Sequence, residues 1–97
     1  MSELAKVKAA LEIAVAAING QTRDGQIEMA EAVTNSIVDR HHLMVQAGTG
    51  TGKSLAYLVP AIVSGKRTLI ATATLALQRQ LVDRDLPKIV PALEKYL

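Results

Sequence analysis

The sequence predicts an α/β fold with the element order α-α-β-α-β-α. Three observations carry that reading. A glycine-rich loop, Ala47 to Ser54, sits between a short apolar run and a helical pattern. A second apolar run, Thr68 to Thr72, is rich in β-branched residues and follows Gly65-Lys66-Arg67. Elsewhere, apolar residues recur at the three- and four-residue spacing of a helix. Two strands joined through a helix would be the start of a parallel sheet.

Ser2 is placed to cap a first helix running to about Asn19, with Leu4, Val7, Leu11, Val15 and Ile18 as its stripe and Gly20 as its stop. Gln21 to Gly25 reads as a loop. A second helix is expected from about Gln26 to Arg40, striped by Met29, Ala30, Val33 and Ile37 and ended by His41-His42. Leu43 to Gln46 is ambiguous alone, and the glycines and helix after it favour a strand. The next helix spans Ser54 to Ser64, with Pro60 inside it and Gly65 after it. Thr68 to Thr72 is the second expected strand. A helix from about Thr74 to Asp85 follows, and Pro87 and Pro91 should break the tail, leaving Ala92 to Leu97 as a last turn.

A chain of 97 residues fits one small domain. Its apolar share of 49%, with no Phe or Trp, makes any core aliphatic. A net charge of +2 permits contact with a polyanion without arguing for one. The absence of Cys excludes disulfides, thiolate zinc and cysteine-held iron–sulfur clusters within these residues. It is compatible with a cytoplasmic protein. Charges throughout Met1 to Glu12 leave no secretory signal, and Leu55 to Val63 is too short to span a bilayer, so no membrane partner is expected. His41-His42 could suggest a metal, but adjacent residues rarely share a face, and a polar helix end is the plainer reading.

The loop carries the chemistry. Against the pattern G-x-x-x-x-G-K-[ST], Ala47 replaces the first glycine, and Gly52-Lys53-Ser54 fit. Gly48, Gly50 and Gly52 allow the backbone to curl its N–H groups around a phosphate, with Thr49 and Thr51 helping through their backbone. The helix after the loop adds the positive end of its dipole. Lys53 would reach the β- and γ-phosphates, and Ser54 would place its hydroxyl on Mg²⁺. The competing reading is a glycine-rich turn with a chance lysine. The expected strand before it and helix after it favour phosphate.

Three blocks resemble the DinG-like DNA helicases, in the iron–sulfur branch of helicase superfamily 2 that also contains the XPD-type enzymes. Arg23 to Ala30, RDGQIEMA, is similar to that family's R-x-x-Q-x-x-M segment. Gln46 to Pro60, QAGTGTGKSLAYLVP, resembles its motif I, where Ala is accepted at the first loop position. Ala71 to Leu81, ATATLALQRQL, resembles its motif Ia. The blocks stand in order and cover most of Arg23 to Leu86.

The resemblance implies a partial P-loop NTPase motor domain of RecA-like fold with a leading helical segment and an incomplete sheet. Residues 1–97 would be the N-terminal part of motor domain 1, with 1–20 as a leading helix and 21–97 as the nucleotide-binding portion. It implies that Gln26 hydrogen-bonds the adenine edge of ATP, with Arg23 near the same pocket. Read from residue type alone, Gln26 is equally an exposed glutamine at a helix start, and Arg23 a solvated loop arginine. It implies that Thr72 and Thr74 meet the backbone of single-stranded DNA, with Gln78, Arg79 and Arg84 available for further contacts. The ordinary alternatives are Thr72 as strand filler and Thr74 as a helix N-cap. The implied function is ATP binding within a DNA helicase associated with repair, whose full-length form can carry an iron–sulfur cluster. One departure is that nothing aromatic precedes Gln26 to stack on adenine.

The acidic pair that such an ATPase needs is not found in these residues. Leu81-Val82-Asp83 lies in a helical pattern and does not qualify. The alternative is therefore a module or truncated product that holds nucleotide without hydrolysing it; a small kinase would need an acceptor site and an arginine lid that are not seen. In the implied fold the two expected strands are not neighbours. The fragment should then be weakly stable, with exposed edges or a non-native pairing. Residue patterns say nothing about oligomeric state.

Overall fold

The computed structural model describes residues 3–18, 20–21, 23–46 and 53–96. The expected Ser2 cap, the end at Asn19, the loop residues Ala47 to Gly52 and Leu97 lie outside them. Helix α1 runs over Glu3–Ala17, α2 over Asp24–Asp39, α3 over Lys53–Ser64, α4 over Leu75–Arg79 and α5 over Leu86–Tyr96, with a π-helical stretch, Gln80–Asp85, joining the last two.

The α/β expectation is overturned, because among the described residues every regular element is helical and no strand forms. Leu43 to Gln46 and Thr68 to Thr72, the two expected strands, are without regular structure. The reason lies in backbone hydrogen bonding. A helix satisfies its N–H and C=O groups internally, whereas a strand satisfies them only against a neighbouring strand. Neither segment pairs with the other, and both stay in contact with solvent, with Met44 97% and Leu69 94% exposed.

The helices gather on α1. Its stripe Val7, Leu11 and Val15 is buried as its spacing predicts, together with Ala10 and Ala14, while Leu4 at the end of that stripe remains exposed. Against this stripe pack Ala30 of α2, Leu55, Ala56 and Val59 of α3, and Ile89 and Leu93 of α5. The radius of gyration, 12.5 Å, matches the roughly 13 Å of a folded domain of this length, so the chain condenses without a sheet.

Helix α2 buries a different line from the one its apolar pattern indicates. Gln26, Ala30 and Thr34 are buried, and Met29, Val33 and Ile37 are half-buried. Thr34 can be buried because its Oγ1 donates to the Ala30 carbonyl at 2.7 Å. The helix ends at Arg40, a non-glycine residue in the left-handed region (φ 58°), whose N–H donates to the Ser36 carbonyl. The Ser36 hydroxyl in turn donates to the His41 carbonyl. Helix α3 ends as expected at Gly65, with φ 69°.

The tail is also corrected. The expected helix over Thr74 to Asp85 does not stop at Pro87, because helical structure continues to Tyr96 through Pro87 and Pro91. The Leu86 N–H donates to the Leu81 carbonyl, five residues back. In regular α geometry the Pro87 ring would press on the Asp83 carbonyl. The wider turns before it give that ring room. The tail then delivers Ile89, which is fully buried, and Leu93 to α1.

Truncating Leu11 should reveal this dependence on α1. Leu11→Ala removes a side chain with no exposure and should cost about 2–5 kcal/mol, against less than about 0.5 kcal/mol for Leu69→Ala. Urea unfolding followed by circular dichroism would measure both. Equal losses would refute the packing described.

Candidate phosphate-binding site

Lys53 and Ser54 open α3. Lys53 is exposed and Ser54 half-buried, while the following Leu55 and Ala56 are buried against the other helices. The apolar face of α3 thus fixes the helix, whose first turn carries Lys53 and Ser54. First-turn N–H groups have no partner within a helix, and with the dipole they favour an anion.

Arg23 takes the N-cap position of α2 with extended backbone, and its carbonyl accepts from the Ile27 N–H at 3.0 Å. Its side chain is exposed. Gln26, by contrast, is only 4% exposed, on the packed line with Ala30 and Thr34. Neither reading of Gln26 from residue type foresaw burial. The signal was its four-residue spacing from Ala30, obscured because the line it belongs to contains one apolar residue.

Thr72 and Thr74 build a local turn. Thr72 Oγ1 donates to the Thr74 carbonyl at 3.0 Å, and Thr74 Oγ1 accepts from the Leu77 N–H at 3.2 Å, capping α4. The Gln78 N–H donates to the Thr74 carbonyl at 3.2 Å, and the Gln78, Arg79 and Arg84 residues are exposed. The Thr72 proton is therefore committed within the turn, whereas the Thr74 hydroxyl accepts and keeps its own proton for another acceptor.

The two groups of candidate residues are not brought into one described cavity. Thr72 lines a cavity of about 730 Å³ whose walls include Tyr57, Ala61 and Ser64 but none of Arg23, Gln26, Lys53 or Ser54. Tyr57, the α3 wall residue nearest Lys53, follows it by one turn, roughly 6 Å along the axis at 1.5 Å per residue. Among the described residues no three His, Cys, Asp or Glu side chains come together as a metal group, and no helix is long and apolar enough to cross a membrane.

Lys53 and Ser54 open α3, and the capped threonine turn follows it in the chain. The family model for DEAD/DEAH box helicases matches residues 23–89, more than half of the chain, and the chain belongs to that family. Within it the chain is DinG-like. It is 58% identical over 91 residues to the ATP-dependent helicase DinG of Mycobacterium tuberculosis, covering 90% of this chain and 14% of that protein. It is 50% identical over 72 residues to the ATP-dependent DNA helicase YoaA of Escherichia coli, covering 74% of this chain and 11% of that one. It is 35% identical over 71 residues to the 3'-5' exonuclease DinG of Bacillus subtilis, covering 69% and 8%. The chain thus spans about one seventh or less of the length of these relatives. No solved structure matches it.

The capping role of Thr74 is testable by itself. Thr74→Ala should destabilise the start of α4 by about 1 kcal/mol and speed amide exchange at Leu77, while the Thr74→Ser variant retains most of the protection. Unchanged exchange at Leu77 in the alanine variant would remove the cap from the structure.

Proposed function

We propose that this chain is the ATP-binding N-terminal portion of an ATP-dependent DNA helicase. The observation that carries the reading is the sequence Gly52-Lys53-Ser54 entering α3 within a DEAD/DEAH box helicase match. ATP supplies the phosphates and Mg²⁺ neutralises their charge when both are bound. Lys53 fits the terminal phosphates, being exposed on the first turn of a helix whose other face is buried. Ser54 fits the metal through its hydroxyl, being half-buried one residue further on. The loop from Ala47 to Gly52 is assigned the phosphate oxygens through its N–H groups.

Arg23, exposed beside the start of α2, is assigned to the nucleotide's edge, and Gln26 to the base through an amide held by packing. Base recognition through Gln26 would require its amide to be reached at the rim of the buried face. Toward single-stranded DNA, Thr74 is the better phosphate donor of the threonine pair, since the Thr72 proton is already engaged. Gln78 is exposed one turn further on. An iron–sulfur cluster does not fit these residues, since the chain has no Cys; DinG-like proteins carrying one would hold it elsewhere.

A second reading is binding without turnover by the chain alone. Its support is that the 97 residues contain no adjacent Asp-Glu pair to activate water. Lys53→Ala should weaken ATP binding at least tenfold, measured calorimetrically, with helix content by circular dichroism unchanged, because the side chain is exposed. Unaltered affinity would refute the loop assignment. Phosphate release measured on the same samples separates the two readings: binding without release supports the second.

A further inference from the structure

Helix α1 and the turn after it precede the DEAD/DEAH match, which begins at residue 23, yet both halves of the assigned nucleotide site are mounted on α1. Helix α2, with Arg23 and Gln26 at its start, and α3, with Lys53 and Ser54 at its start, pack on each other and on α1. Val7, Leu11 and Val15 of α1 are buried in one cluster with Ala30 of α2 and Leu55, Ala56 and Val59 of α3. Ile27, next to Gln26, packs against that cluster. The turn leading from α1 toward α2 folds back on Val15. The Val15 carbonyl accepts from the Ile18 N–H at 3.2 Å and from the Gly20 N–H at 2.9 Å. A Cβ on Gly20 would stand 3.3 Å from Val15 Cγ1 and 3.5 Å from the Val15 carbonyl oxygen. Gly20 lies outside the left-handed region, so it is this close approach that asks for glycine.

We propose that α1 and the Gly20 turn set the spacing between the base side and the phosphate side of the nucleotide site, with Val15 and Gly20 as positioning residues. Given the ATP reading above, on which this role rests, a nucleoside triphosphate spans both halves, with Gln26 at the base and Lys53 at the phosphates. Its affinity then depends on how α2 and α3 are held relative to each other. Bare tripolyphosphate engages only the loop and α3, and is indifferent to where α2 starts. Residues 18–23 alone separate α1 from α2, so a turn pushed off Val15 carries the start of α2 with it. Helix α3 meets α1 through side-chain packing, not through that turn, and does not follow.

The test uses the full 97-residue chain with Mg²⁺ and titrates ATP and inorganic tripolyphosphate calorimetrically. Gly20→Val sets a branched side chain against Val15. It should weaken ATP about fivefold and leave tripolyphosphate within about twofold, since misplacement is costly only to the ligand that spans both halves. Gly20→Ala, the milder change, should shift the ratio of the two affinities in the same direction by a smaller factor, and serves if the valine variant does not fold. Adding Val15→Ala to Gly20→Val removes the Cγ1 that the new side chain meets and should restore the ratio of the unaltered chain. Circular dichroism reports helix content on each sample. Equal weakening of both ligands, an unchanged ratio in the Gly20 variants, or no recovery on adding Val15→Ala would overturn the proposal. Failure of the ATP reading looks different: the unaltered chain then binds neither ligand, or Lys53→Ala leaves tripolyphosphate binding intact, and the spacing role falls with it.

Discussion

The structure depends on one aliphatic contact, the stripe of α1 centred on Leu11. Every other long helix is held by it: α2 through Ala30, α3 through Leu55, Ala56 and Val59, and α5 through Ile89 and Leu93. With no Phe or Trp, the core must be filled by small branched side chains, and these pack well only when helices approach closely. Ala10 and Ala14 on α1, Ala30 on α2 and Ala56 on α3 permit that approach, all at 1% exposure or less. The same close packing draws Gln26 and Thr34 into the interior, because they share a face with Ala30.

This contact also explains why the chain is helical where its composition allows strands. Helices condense on α1 with their backbone already satisfied. Leu43 to Gln46 and Thr68 to Thr72 have no comparable route, since extended backbone gains from burial only when a neighbour takes its hydrogen bonds. They remain outside, with Leu69 and Met44 almost fully in water. Val33, Ile37, Tyr57 and Ala61 line an open cavity beside Thr68 to Thr72.

Much of this was legible in the sequence, and the failures share a cause. The α1 stripe, the helix ending at Ser64, the Gly65 stop and the Thr74 cap are local patterns, and local patterns survive in a chain of any length. The strands were misread because β-branched composition reports a fit to a sheet, not the presence of one. The tail departs from its sequence pattern because Pro87 and Pro91 ordinarily break a helix, whereas here the preceding π-helical turns make room for the first ring, and burial of Ile89 and Leu93 stabilises the result. The cavity was not foreseen. Its only signals were the cations at Lys66-Arg67 and an α3 sequence apolar around most of its circumference, both of which ordinarily describe a buried helix and a solvated turn.

Helix α3 buries one side and leaves another open along its length. At its start, polar Lys53 and Ser54 precede a buried apolar face. From Tyr57 onward, Tyr57, Ala61 and Ser64, at four- and three-residue spacing, line a cavity with a basic rim, and Lys53 precedes Tyr57 by one turn on the same stripe. The threonine turn borders that same cavity through Thr72 and Ala73.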